Sequence, residues 1–359
     1  PVTNYMDFFK LRGSWGQNGN CEIDPFQYLA TIAFEDYSKY YFSDPSKGSV
    51  GAFPDILPNP DVTWETSEQL DLGFDARFFD SKLGLTFDWY KKTTKDWLVK
   101  APALLSYGTA APFVNGGDVE NKGIEIGLTW NDNVGDLQYN IGVNLAKNKN
   151  EITRLANEEG ILHGPENVLA QNTDELFRCE VGRPMGFFWG FKTDGVMQDD
   201  NDVKAYLNKH CKGDAANSLQ GKDIQPGDLK FVDTDGDGKI TDDDKTMIGN
   251  PHPDVTLGLN ISLSWKGIDF SVNAHGAFGM QVAKSYRNYS NTLTDNYEAS
   301  DLTKWWTGKG SSDKYPRFTH GKHPNMGETS DMWLEDADYL KINNITLGYD
   351  FKHLFPKMP

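Results

Sequence analysis

Three features predict an all-β chain that forms part of a transmembrane barrel. Paired runs of alternating apolar and polar residues recur along the 359 residues, each pair is joined by a few residues, and long polar stretches separate the pairs. Successive side chains on a strand point to opposite faces, so each run has one apolar and one wet side.

The elements follow in order. Phe9, Leu11, Gly13 and Trp15 open the series as a single strand. The first pair sets Leu70, Leu72, Phe74, Ala76 and Phe78 against Leu83, Leu85, Phe87 and Trp89, across a turn at Asp80, Ser81 and Lys82. The second sets Ile124, Ile126, Leu128 and Trp130 against Leu137, Tyr139, Ile141, Val143 and Leu145, with its turn at Asn131–Asp136. The third sets Val255, Leu257, Leu259, Ile261 and Leu263 against Ile268, Phe270, Val272 and Ala274, with its turn at Trp265–Gly267. Ile345, Leu347, Tyr349 and Phe351 form a closing strand.

The connections between these units are long: 18–64, 92–118, 149–253 and 277–338. In outer-membrane barrels short turns face the periplasm and long loops face outside. Eight spanning strands keep that parity only if Tyr28–Phe34 and Gly186–Met197 stay out of the membrane, so both are expected as extracellular hairpins. Phe78, Trp130, Trp265, Tyr349 and Phe351 lie beside short turns, where an interfacial aromatic girdle belongs. A soluble sandwich also alternates, but its strands are shorter and its loops lack this short–long order.

Composition agrees. No apolar run is long enough for a transmembrane helix, whereas alternation keeps the mean hydropathy of a barrel low. Thirty-five Lys and Arg against 52 Asp and Glu give a formal charge of −17, which argues against nucleic acid as a partner. Cys21, Cys179 and Cys211 lack metal-site spacing and leave open one bridge or three free thiols. The chain opens on Pro1 beside a strand and is read as an internal stretch of a larger protein.

Chemistry concentrates in the loop 149–253. Asp233-Thr-Asp235-Gly-Asp237-Gly238-Lys239-Ile240-Thr241-Asp-Asp-Asp244 fits the twelve-residue calcium loop. Calcium needs six to eight hard oxygens. Asp233, Asp235 and Asp237 supply carboxylates, Lys239 a backbone carbonyl, Thr241 a direct or water-mediated ligand, and Asp244 the last carboxylate. Position twelve is Asp rather than the longer Glu, and one loop stands alone, which favours a structural site over a sensor. The competing account is a solvated acidic turn.

Other candidates carry less. His320 and His323 are the one close histidine pair and lack a third zinc ligand. No nucleophile elbow, phosphate loop or dinucleotide fingerprint occurs. Tyr37, Tyr40, Tyr41, Trp305 and Trp306 are loop aromatics able to stack on sugar rings, although packing within the loops is the commoner role. Asp71, Asp75, Arg77, Asp88 and Glu125 fall on the wet face, where they would line a transport path or dock a plug.

FKLRGSWGQNGN at 9–20, LPNPDVTWETSEQLDLGFD at 57–75, NGGDVENKGIEIGL at 115–128 and GFFWGFKTDGVMQ at 186–198 stand in one order with QPGDLKFVDTDGDGKITDDDKTMIGNPHPDVTLGLNISLSWKGIDF at 225–270, YPRF at 315–318 and WLEDADYLKINNITLGYDF at 333–351. In that order they resemble the SusC/RagA family of TonB-dependent outer-membrane transporters of Bacteroidetes. The resemblance implies a 22-stranded barrel around a plug, energised by the TonB complex and capped by a SusD-like lipoprotein, importing oligosaccharides or peptides. Residues 1–359 would then be barrel wall with outer loops, without the plug and the last strands. A secreted, calcium-stabilised carbohydrate-binding β-protein is the alternative, and an extracellular glycoside hydrolase a more distant one.

Overall fold

The computed structural model describes residues 5–41, 44, 48–100, 106, 108–284, 303–319 and 323–351. Strands are β1 (Met6–Asn20), β2 (Ile32–Tyr41), β3 (Gly48–Pro54), β4 (Glu65–Phe78), β5 (Leu83–Lys100), β6 (Phe113–Val134), β7 (Leu137–Leu155), β8 (Ile161–His163) and β9 (Phe177–Glu180). They continue with β10 (Phe187–Gly190), β11 (Thr193–Val196), β12 (Leu229–Phe231), β13 (Thr246–Gly249), β14 (Val255–Trp265), β15 (Ile268–Phe278), β16 (Gln281–Ala283), β17 (Leu334–Asp336) and β18 (Tyr339–Tyr349). Helix α1 covers Asp200–His210, and α2 is one turn at Pro324–Gly327.

Eight strands form one antiparallel sheet in the order β1-β4-β5-β6-β7-β14-β15-β18. They are the eight expected from the alternating runs. Ladder register keeps the two faces distinct across the whole width. Leu11, Phe74, Phe87, Ile126, Leu145 and Leu257 are neighbours in one row. Lys10, Asp75, Thr86, Gly127, Asn144, Gly258 and His275 form a row on the opposite face. The apolar face is bare: Leu11 is 73% exposed and Leu347 74%. Large exposed apolar surfaces mark contact with something other than water. A sandwich would cover this face, and no second sheet does so among the described residues.

Two of the three short turns are tighter than expected, while four residues, 79–82, join β4 to β5. Only Gly135 and Asp136 join β6 to β7, and only Lys266 and Gly267 join β14 to β15. Lys266 and Gly267 both have positive φ, 47° and 85°, as a two-residue turn matching strand twist requires. Beyond the apolar band the strands run further than expected. Much of the expected loop 92–118 is ladder, with β5 and β6 paired up to Lys100 and Phe113. Lys91, Lys92, Thr93 and Thr94 end the alternation because both faces there meet water, while backbone pairing needs no apolar side.

The segments after β7 and after β15 fold together into a second body with its own core. Phe191, Phe231, Leu229, Met197 and Met326 are fully buried in it. Gly186–Met197 is not the hairpin expected from sequence: β10 pairs with β9 and β13, and β11 with β12. Short apolar runs show the existence of strands but not their partners. The other expected hairpin exists as β2 with β3, starting later than Tyr28. No helix of the described residues is long and apolar enough to cross a membrane. All three cysteines are free, with Cys211 buried.

Candidate functional site

The wet face of the sheet encloses an open trough of about 890 Å³, lined from Lys10 and Asp75 across to Asn144 and His275. Arg12 organises its charges. It ion-pairs with Asp75 on the adjacent strand at 3.0 Å and donates to Asp88 one strand further at 2.8 Å. The reach is possible because Gly73 lies between Arg12 and Asp88 in the ladder. A Cβ on Gly73 would stand 2.1 Å from Asp88 Oδ1. Tyr90 repeats the device. It crosses Gly123 to reach Asn148 at 3.0 Å, and a Cβ there would meet the Tyr90 hydroxyl at 2.7 Å. Glycine thus lets long polar side chains lie flat against the wall and keeps the trough open.

Asp71, Asp75, Arg77, Asp88 and Glu125 all share this face, as the alternation predicts. Tyr90 shares it as well, and Arg12, Lys92 and His275 are lining residues the sequence reading leaves out. The signal was present for Arg12, since Phe9 and Leu11 on the apolar face place Lys10, Arg12 and Ser14 opposite. Toward the short turns amides and hydroxyls dominate: a recess of about 640 Å³ is lined by Asn133, Gln138, Asn140, Ser262, Ser271 and Thr346, with Asp132 and Asp269 also in its lining.

In the second body, carboxylate oxygens of Asp233, Asp235 and Asp237 lie within 4.8 Å of one another. Backbone donors aim each one. Asp233 accepts from Gly236 and Gly238, Asp235 from Asp237, and Asp237 from Lys239, all at 2.7–2.9 Å. Gly238 has φ +79°, and the Lys212 stem would stand 2.5 Å from a Cβ there. The Lys212 ammonium donates to the Asp237 carbonyl. His210, its pKa lowered by burial, accepts the Asp233 N–H through Nδ1 at 3.2 Å. The Asp237 N–H bond draws the Asp235 carboxyl down, but desolvation and the Asp237 and Asp244 charges outweigh it and leave it above the ordinary value.

Two of the six sequence candidates point elsewhere. Asp244 is fully buried, accepting from the N–H groups of Thr234, Asp235 and Thr241 and from the Thr234 hydroxyl. Three of these contacts fall on Oδ1 and one on Oδ2, so in this geometry Asp244 braces the loop. The Thr241 hydroxyl caps the following turn by accepting from Asp243. Lys239 follows Gly238 and keeps the loop position whose carbonyl was expected to serve.

The remaining candidates resolve as packing where they are described. Trp305 is buried, edge-on to Phe318 and tilted against Tyr315. Trp306 is half-buried and donates its indole N–H to Gln198. Tyr41 is exposed, and the side chains of Tyr37 and Tyr40 lie outside the described residues, as does His320. His323 is taken up by the Asn325 N–H and by Arg317.

Residues 3–169 match the family model for the TonB dependent receptor-like β-barrel. Over those residues the chain resembles the barrel of TonB-dependent receptors. It is 29% identical over 98% of its length to TonB-dependent receptor P3 of Formosa agariphila, and 26% identical over 98% to TonB-dependent receptor SusC of Bacteroides thetaiotaomicron. It spans about a third of the length of these curated relatives, 33% and 32%. The RagAB peptide importer in its closed-closed state shares the fold at TM-score 0.70 and 21% identity, over 96% of this chain and 35% of that one.

Barrels of this family lie in the outer membrane, where a bare apolar face is a lipid-facing wall and a polar trough its lumenal side. Trp130, Trp265, Tyr349 and Phe351 then sit at the short-turn interface, with Tyr349 and Phe351 packed edge-on at 5.4 Å.

Proposed function

We propose that the chain supplies wall and outer loops of a TonB-dependent importer that moves an oligosaccharide, or a peptide, without catalysis. The observation that carries this reading is the polar trough running along a lipid-backed wall toward a folded body at the long-loop end. Its short-turn half is rich in neutral amides and hydroxyls such as Asn140, Ser262 and Ser271, donors and acceptors suited to sugar hydroxyls. RagAB, a peptide importer, shares the fold, so peptide is the second cargo class.

In this reading a SusD-like lipoprotein closes over the loops, cargo passes beside Arg12, Asp75 and Asp88, and the TonB complex drives plug displacement. The test is uptake of labelled oligosaccharides by cells carrying the full-length receptor. Uptake that disappears when TonB is removed supports import. A full-length protein that stays soluble without detergent sinks the reading.

Calcium serves as a structural ligand of the outer body in the same proposal. Asp233, Asp235 and Asp237 would hold it, with the Lys239 carbonyl and, through water, Thr241, while Asp244 stiffens the loop. Hard oxygens and preset carboxylates suit that ion. Asp233→Ala with Asp237→Ala should abolish calcium-dependent protection of 225–250 from protease, as should a chelator. Unchanged protection rejects the site.

A further inference from the structure

The lipid-facing side of the wall ends, at the long-loop edge, in a line of lysines. Lys91 on β5, Lys122 on β6 and Lys149 on β7 are direct ladder neighbours. Lys147, one row nearer the short turns, stands between Ile124 and Val255. Alternation puts all four on the face of Phe87, Ile126 and Leu145. From Val134 beside its short turn to Lys122, β6 rises about 40 Å along the strand, or about 30 Å along the barrel axis at a tilt of about 40°. The lysines therefore lie just beyond the apolar band, at the interface opposite the aromatic girdle. With short turns facing the periplasm, that interface belongs to the extracellular leaflet.

The row is local. Its continuation across β4 and β1 is Leu70 and Trp15. Adjacent like charges in a ladder repel, and in a chain of charge −17 composition does not favour them. Carboxylates in the next row answer only part of the charge. Glu120 takes Lys91 at 2.7 Å and Lys122 at 3.2 Å, and Glu151 takes Lys149 at 2.5 Å. Lys147 is exposed and has no ion pair among the described residues. The side chains of Lys91, Lys122 and Lys149 are 46%, 45% and 64% exposed. An ammonium above apolar rows, short of carboxylates, is completed by an anion at headgroup depth, with its stem lying along the lipid chains.

We infer that Lys91, Lys122, Lys147 and Lys149 form a docking surface for the net-anionic, phosphate-bearing headgroup of a lipid in the extracellular leaflet. Strands lie about 4.8 Å apart, so one phosphate with several acceptor oxygens bridges ammonium groups on neighbouring strands. The acyl chains then lie over Trp89, Ile124 and Leu145, the apolar residues just below the lysines. This depends on the membrane placement of the sheet and not on the cargo.

The test uses the full-length receptor, extracted from bilayers of equal phosphatidylcholine and phosphatidic acid, with retained lipids counted by native mass spectrometry. Phosphatidic acid should be retained over phosphatidylcholine by about tenfold. Changing all four lysines to Gln should bring the preference near unity, whereas Lys82→Gln with Lys266→Gln at the short-turn rim should leave it intact. Changing the four to Arg should also preserve it, which guards against a Gln variant that fails to fold. Equal retention by the unmodified receptor, an unchanged preference in a folded Gln variant, or loss in the Arg variant overturns the inference. Displacement of the lipid by millimolar inorganic phosphate would overturn it too, identifying a free-anion site instead.

Discussion

The spanning sheet and the outer body are both rich in apolar residues, and they use them in opposite directions. In the outer body Phe191, Leu229 and Phe231 are 0% exposed, enclosed by two loops far apart in sequence. In the sheet Leu11, Leu72, Ile345 and Leu347 are 50–74% exposed, and the polar residues are the ones turned inward. The same hydrophobic preference acts in both: one region buries its apolar surface in itself, the other in lipid. Exposed apolar area therefore reports the solvent a region is built for.

The comparison can be broken at either end. Phe231→Ala removes a buried ring in edge-to-face contact with Phe191, and should destabilise the outer body by about 3–5 kcal/mol. Protease resistance of the loops should fall while heat-modifiable migration of the barrel persists. Loss of both would show that the two regions fold as one unit. Leu128→Arg, near mid-height of the lipid face, should cost about 2–4 kcal/mol in urea-driven refolding into lipid. Asn144→Arg on the lumenal face at similar height should leave refolding little changed and alter uptake. Equal costs would erase the distinction between the faces.

Gly73→Ala sharpens the account of the trough. The new methyl would press on Asp88 Oδ1 and the Phe87 carbonyl, for about 1–3 kcal/mol and loss of the Arg12–Asp88 bond. An unperturbed crystal structure of the variant would show that the glycine is not needed there. The smallest effect is electrostatic. Burial alone would raise the Glu335 carboxyl, but the Tyr315 hydroxyl, Lys314 and Lys284 together hold it at about 2. A depressed folded pKa contributes stability above the ordinary value of 4.5 that is lost as pH falls toward 2. Melting of the outer body should decline over that window, and Glu335→Gln should flatten the decline. An identical slope in the variant would exclude Glu335 as its source.

Legibility in sequence followed periodicity. Leu70–Phe78 and its partner runs could be placed on a face and in order because the strand repeat is two residues and neighbouring runs are joined by almost nothing. Periodicity stops being informative where the alternation breaks at Lys91–Thr94, so the sequence alone does not show the paired stretch from Thr93 to Lys100. It also failed within the outer body. Thr193–Val196 pairs with Leu229–Phe231, and Asp228 is buried against Arg317 and Asn325, contacts set by packing between distant segments.

The acidic loop shows the same division in one motif. Spacing brought Asp233, Asp235 and Asp237 together, since their carboxylates are aimed by N–H groups two to five residues on. The inward turn of Asp244, the Lys212 stem over Gly238 and the His210 bond to Asp233 required the folded body. The amino-acid sequence by itself determined the strands, their faces and their order, because those depend on a residue and its neighbours in the chain. Tertiary structure alone decided the partners in the outer body, the reach of Arg12 and Tyr90 across glycines, and the alignment of Lys91, Lys122 and Lys149. Those depend on register between separate strands and on packing between loops, which local periodicity does not encode.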